Sequence, residues 1–266
     1  MSRQRPLSLA LVVAVISFVM LPFIPVLVWS LSDRWFAPDI WPQQWGLRAW
    51  RYIFGIAGGQ ITEALWRSIA LGGVTAAVSL AVGVPAGRAL GLYHFKGKDL
   101  ISIILMLPAV VPPLSVAMGL HLWFIRLRLT ETFMGVVVVH LIVCLPYAVF
   151  VMWGVFANYN PDIEAQARTL GASTLKIVFR VMLPLILPGL VVAALFAFLL
   201  SWSQYLSTLI IGGGHMTTLP ILLFALMGSG DRPVAAAVSI LFIIPALLVL
   251  FFSARYLGQR SVAGVR

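Results

Sequence analysis

Between Asn158 and Gly189 the sequence reads NYNPDIEAQARTLGASTLKIVFRVMLPLILPG, and its spacing marks a short helix, a turn and a second helix. Asn160, Pro161 and Asp162 make a helix start: Asn caps, Pro is at home in the first turn, and an acid is favoured beside the positive end of the helix. Ile163, Ala167 and Leu170 follow at helical spacing, with Glu164, Gln166 and Arg168 between them. Gly171 is the residue most able to end or turn that helix. Ser173 is placed to cap a second short helix through Lys176, Phe179 and Met182, while Pro184 and Pro188 punctuate the start of the next apolar run. A helix, a turn and a helix form a stiff element whose exposed apolar side chains need covering. A partner protein or the membrane surface would each satisfy that need, and the pattern alone does not choose between them.

Bond-making chemistry has little to work with elsewhere. The chain has no G-x-x-x-x-G-K-[ST] phosphate loop and no H-E-x-x-H metal pair. Its single cysteine, Cys144, allows neither an internal disulfide nor a metal cluster. Asp33, Asp39, Glu63, Asp99, Glu131, Asp162, Glu164 and Asp231 all fall in loops or at the ends of apolar runs. His121 and His140 lie within such runs, where a packed, hydrogen-bonded histidine is the ordinary reading. The remaining polar group is Ser201 with Trp202, Ser203, Gln204 and Tyr205, followed by Ser207 and Thr208. Such side chains glue helices together or line a polar path. Trp202, Ser203, Gln204 and Tyr205 are the candidates for the path. No metal or cofactor is expected in this chain.

The elements that must position these groups are apolar helices. Of the 266 residues 61% are hydrophobic and 10% charged, with a mean hydropathy of +1.03. So few charges cannot cover a water-facing surface, and lipid must be the solvent. A spanning helix needs about 20 apolar residues. Six stretches qualify: Leu7–Leu31, Ala64–Leu90, Leu100–Phe124, Phe133–Ala157, Leu183–Ser207 and Val234–Leu257. The first is longer than the core of a cleaved signal peptide and reads as an uncleaved helix. Glycine and proline inside the spans read as ordinary features of close helix packing.

The net charge of +10 is dispersed in small groups without a basic stripe, which argues against nucleic acid. Placing the N-terminus in the cytoplasm puts Arg3, Arg5, Arg88, Lys96, Lys98, Arg168, Lys176, Arg180, Arg255, Arg260 and Arg266 on that side, the larger share of the 18 basic residues. Both termini and the loop 158–182 are then cytoplasmic. The aromatic cluster Trp35, Trp41, Trp45, Trp50 and Tyr52 falls on the outer side, as an interfacial belt or surface helix.

The loop resembles the EAA loop of permease subunits from binding-protein-dependent ABC importers. Ala167–Ser173 and Val181-Met182-Leu183-Pro184 match that pattern in order and spacing. The family's acid usually stands at the place held here by Ala165, with Glu164 one position earlier, and Gln166 replaces the first of the two alanines. The six-span layout extends the resemblance over nearly the whole chain. It implies an all-α, type I importer-like polytopic fold, with residues 1–266 as one permease domain in a bacterial inner membrane. It also implies that the loop is a coupling element, carried by Ile163, Glu164, Ala165, Ala167, Leu170, Gly171, Ala172 and Ser173. The implied partners are a second, similar but non-identical permease subunit, two ATP-binding subunits that hold ATP–Mg, and an extracytoplasmic solute-binding protein.

Gly212-Gly213-Gly214-His215 and Thr217-Thr218-Leu219-Pro220 are similar to the spermidine/putrescine branch of this family. Its polyamine permeases tend to carry acids in the fifth span, where this chain has Gln204, so a neutral or anionic solute is equally admissible. Two readings outside the family stay open on the residues alone: a secondary transporter or channel not coupled to ATP, and a membrane-embedded enzyme.

Overall fold

The computed structural model describes residues 14–36 and 38–263. Arg3, Arg5, Arg266 and the first seven residues of the expected N-terminal span lie outside the described residues. Among the described residues the fold is all-α apart from one two-stranded antiparallel pair. In chain order the elements are α1 (Phe23–Ser30), β1 (Ser32–Arg34), β2 (Gln44–Trp45), α2 (Arg48–Phe54), α3 (Gly58–Leu92), α4 (Lys98–Val110), α5 (Pro113–Arg126), α6 (Phe133–Ala157), α7 (Asp162–Thr169), α8 (Thr174–Trp202), α9 (Leu206–Gly212), α10 (Leu219–Gly228) and α11 (Arg232–Ala263). Among the described residues four helices are long and apolar enough to cross a membrane: Gly58–Leu92, Phe133–Ala157, Thr174–Trp202 and Arg232–Arg255.

Two compact units divide the chain: the N-terminal part through Glu63 with Leu222–Pro245, and Ala64–Ile221 with the segment from Ala246. In the larger unit α3 and α6 meet along a seam of small residues. Gly83, Gly87 and Gly91 recur every fourth residue on α3 and therefore share one face. A Cβ at these positions would lie 3.1 Å from Ala148 Cβ, 2.5 Å from Met152 Cβ and 2.6 Å from Phe156 Cβ. Glycine is required there because the backbones approach too closely for any side chain, and dispersion contacts reward that approach in lipid. α8 packs along α6, with Met152, Phe156, Met182, Ile186 and Ala193 buried between neighbouring helices. α9 packs on α5 and α6, where Phe124, Val136, Val137, Val139 and Ile211 are buried.

Two expected spans are built differently. Leu100–Phe124 is two helices, α4 of 13 residues and α5 of 14, each too short to cross alone. Pro112 and Pro113 lack amide hydrogens and push the preceding backbone out of the helical region. Val111 accordingly has ψ 132° and Pro112 ψ 131°. The span expected over Leu183–Ser207 starts earlier, at Thr174, and ends at Trp202. The second short helix of the loop is thus the first part of this span. The turn Val178–Met182 widens to a π-turn, because Pro184 has no N–H for the carbonyl of Arg180 and its ring crowds that carbonyl.

In the smaller unit β1 and β2 pair antiparallel, Ser32 opposite Trp45 and Arg34 opposite Gln44. Asp33 Oδ1 accepts the Arg48 backbone N–H at 3.0 Å and so satisfies the start of α2. Asp231 does the same for α11 by accepting the Val234 N–H at 3.3 Å, with Pro233 in the first turn. Both oxygens of Asp231 also accept from the Arg48 guanidinium, at 2.8 and 2.9 Å.

Candidate coupling site

The helix α7 begins as its sequence requires. Asn160 Oδ1 accepts the Asp162 N–H at 2.9 Å, and Asp162 and Glu164 occupy the first turn. It ends at Gly171, whose φ of 80° only glycine adopts cheaply. The Gly171 N–H donates to the Arg168 carbonyl at 2.9 Å and the Ala172 N–H to the Ala167 carbonyl at 3.0 Å. These two bonds are the Schellman pattern, which satisfies the last carbonyls and fixes the direction of the departing chain. Ser173 sits at the start of α8 by position, but its hydroxyl makes no capping bond.

Glu164 is only 6% exposed. Its carboxylate accepts two bonds from Arg88 on α3, at 2.9 Å to Oε1 and 2.8 Å to Oε2. Tyr159 donates a third, from its hydroxyl to Oε1 at 2.8 Å. Paired, charge-assisted contacts of this kind are strong and set a single relative geometry. The Arg88 guanidinium holds the Glu164 carboxyl below the usual carboxylate range. Burial, with the adjacent carboxylate, pushes the Tyr159 hydroxyl up to about 12. Arg88 further touches Met182 Sδ at 2.6 Å and lies over the Phe156 ring at 5.8 Å. One arginine therefore joins α3, α6, α7 and the π-turn of α8.

The other expected coupling residues face outward. Leu170 is 87% exposed, and on the following helix Leu175 is 71% and Phe179 63% exposed. Ile163, Ala165, Gly171 and Ser173 are exposed as well, while Ala167 and Ala172 are partly covered. Glu164 alone of the set turns inward. Leu170, Leu175 and Phe179 are the most exposed of the large apolar side chains here, each worth about 1.5–3 kcal/mol if covered. Leu175 and Phe179 ride on the same unbroken helix that crosses the membrane to Trp202.

In the sequence Arg88 reads only as one of the charges that bias the orientation, and Tyr159 stands out by no local pattern. A basic residue on the glycine seam of α3, where lipid and close packing both disfavour a charge, was the available signal.

The polar group Trp202–Tyr205 falls at the break between α8 and α9. Trp202 is buried and stacks on Phe198 at 5.7 Å. The Ser203 hydroxyl donates locally to the Leu200 carbonyl at 3.1 Å, and Gln204 Oε1 accepts from the Ser207 hydroxyl at 3.0 Å. Tyr205 is partly covered. His140 on α6 bridges the break, with Nδ1 2.8 Å from the Ser201 hydroxyl and Nε2 2.8 Å from the Thr208 hydroxyl. The histidine is a packed, hydrogen-bonded one, and it staples two half-helices. The candidates for a path are thus gathered at one break, but Trp202 and Ser203 spend their contacts on packing and local bonds.

Long apolar helices with a clamped helix–glycine–helix element between two of them define a polytopic membrane protein. The chain belongs to the binding-protein-dependent transport system inner membrane component family, whose sequence profile matches residues 83–262. It is 29% identical over 257 residues to PhnV of Salmonella choleraesuis, named for a 2-aminoethylphosphonate transport system, covering 94% of this chain and 95% of that one. To the spermidine/putrescine permease PotC of Haemophilus influenzae it is 24% identical over 232 residues, covering 87% and 90%. A bacterial ABC transporter involved in alginate import contains a chain of the same fold, with a TM-score of 0.67, 18% identity and coverage of 96% and 98%. The protein is a multi-pass permease subunit of an ABC importer with the type I fold.

Proposed function

We propose that the loop 158–182 is the coupling element and that it docks on a separate ATP-binding subunit at the cytoplasmic face. The carrying observation is the strong exposure of Leu170, Leu175 and Phe179, on an element that Glu164 and Arg88 fasten to α3. Apolar side chains so exposed in water need a partner surface, and a loosely held loop could not pass a displacement on. ATP–Mg is bound by the partner ATPase, and its closure moves α3 and α8 together. Residues 1–266 act as one permease domain with both termini in the cytoplasm, forming half of a path completed by a second, non-identical permease subunit. An extracytoplasmic binding protein delivers the solute.

The solute we assign is small and polar. The relatives named for 2-aminoethylphosphonate and for spermidine/putrescine support that class. Gln204, where a polycation would call for an acid, favours a neutral, zwitterionic or anionic member of it. The break at Ser203–Tyr205 is the segment of this chain best placed to meet it, since interrupted helices expose backbone groups at membrane depth. No observation favours a carrier uncoupled from ATP. In the transporter assembled with its ATP-binding subunits and reconstituted in vesicles, Leu175→Ser with Phe179→Ser should abolish ATP-driven uptake while the chain inserts and folds normally. Undiminished uptake by that variant would count against the docking role.

A further inference from the structure

The smaller unit contains a cavity of about 640 Å³ that the coupling site does not use. Its walls include Trp29, Arg34, Trp35, Arg48, Asp231 and Arg232. Arg48 and Asp231 neutralise each other through their bidentate pair, while Asp33 accepts the Arg48 backbone N–H and keeps its charge. Arg34 and Arg232 outweigh that one carboxylate and leave the lining net positive. Among the described residues neither has a carboxylate partner, although both are exposed on the same cavity. Arg232 lies with its guanidinium 5.4 Å from the centroid of the Trp29 ring, and Trp29 stacks on Trp35 at 4.3 Å, so the aromatic pair supports the side chain from one side.

The position of the cavity in the chain says at what depth it sits. Arg232 is the first residue of the membrane-spanning helix Arg232–Arg255, and Trp29 stands one residue before the end of α1. Two unpaired guanidinium groups cannot rest in hydrocarbon, and tryptophan collects at the boundary between hydrocarbon and water. At that boundary the abundant anion is phosphate, and guanidinium is the side chain best matched to it, through paired N–H donors. We propose that this cavity is a binding site for a phosphate-type oxyanion, with Arg34 and Arg232 as its ligands and the Trp29–Trp35 pair as the wall against which the rest of the molecule lies. The Arg48–Asp231 pair holds the two sides of the cavity in register by joining α2 to the start of α11.

Native mass spectrometry of the purified chain tests this, with phosphatidylglycerol, diacylglycerol and inorganic phosphate titrated in turn. The wild-type chain should retain one phosphatidylglycerol more tightly than diacylglycerol. Arg34→Gln with Arg232→Gln should weaken that retention about tenfold or more, from the loss of charge-assisted hydrogen bonds. Arg34→Lys with Arg232→Lys should keep only part of it, because an ammonium lacks the paired donors, and Lys96→Gln should keep all of it. Both arginines are exposed, so thermal unfolding of the variants should match the wild type. Retention of phosphatidylglycerol without inorganic phosphate assigns a lipid headgroup, and saturable binding of inorganic phosphate assigns a soluble ligand. Equal retention of phosphatidylglycerol and diacylglycerol with no binding of phosphate would overturn the proposal, as would unchanged binding in the glutamine variant.

Discussion

The Glu164 carboxylate in the first turn of α7 is gripped by both terminal nitrogens of Arg88, 76 residues earlier on α3, at 2.8 and 2.9 Å. With side-chain exposures of 8% and 26% the pair lies largely out of water, where the loss of either partner strands the other charge. Glu164→Gln or Arg88→Gln alone should cost about 2 kcal/mol of stability. The double variant should cost less than the two single losses added, since neither charge is then left alone. Urea unfolding of the four proteins in one detergent measures that coupling. Additive losses would mean that the two side chains do not act as a unit.

The same contact sets a dependence on pH. Arg88 depresses the Glu164 carboxyl, and Arg48 does the same to Asp231. A depressed carboxylate contributes stability that is fully present above its unfolded pKa and is lost as pH falls through its lower folded value. The unfolding midpoint should therefore hold steady from neutral pH to about 5 and fall below about 4. In Glu164→Gln the acid fall should be smaller, and the residual fall should belong mainly to Asp231. A wild-type fall of the same size in the variant would remove Glu164 from the explanation.

Gly171 carries the turn through its backbone rather than through space. A Cβ there would meet nothing within 4 Å, but φ is 80°. Gly171→Ala should thus destabilise by about 1 kcal/mol through strain, and Gly171→Asn by less, because asparagine tolerates the left-handed region. Gly171→Asp should leave the chain inserted and depress ATP-driven uptake, since it sets a carboxylate beside the exposed Leu170 where an apolar contact is proposed. Uptake in vesicles, scored against insertion, checks the order Asn, Ala, Asp.

The α3 seam obeys the opposite rule. At Gly87 a Cβ would fall 2.5 Å from Met152 Cβ and 2.8 Å from the Met152 backbone carbonyl carbon. Gly87→Ala should force α3 and α6 apart at a cost of about 1–3 kcal/mol, visible as a lowered thermal midpoint. Gly73→Ala on the same helix, with nothing within 4 Å, should be close to neutral. Equal effects at the two sites would contradict the close approach.

Local chemistry was legible in the sequence. Asn160, Asp162 and Gly171 announced the ends of α7, because caps and left-handed turns depend on residues a few positions apart. The break of the third span at Val111–Pro112 was marked by two prolines, yet lipid-buried helices so often absorb proline that periodicity smoothed over it. The fusion of Thr174–Met182 with the fifth span was hidden for the same reason, since Pro184 widens the helix instead of ending it. The inward turn of Glu164 could not be read locally. Its partner Arg88 lies on another helix, 76 residues away in the chain, on the helix that packs on α6 through Gly83, Gly87 and Gly91. Asp231, followed by Arg232 and Pro233, offered a helix-cap pattern that went unused, and it marks the start of α11.

Docking of Leu175 on an ATP-binding subunit is tested most directly by photochemical cross-linking in the assembled transporter, with Leu175 replaced by benzoylphenylalanine. Illumination should yield a covalent adduct between this chain and the ATP-binding subunit, and the same probe at Leu247, 56% exposed on α11, should yield none with that subunit. Adducts of the Leu175 probe with lipid alone would place the element on the membrane surface and contradict the coupling role.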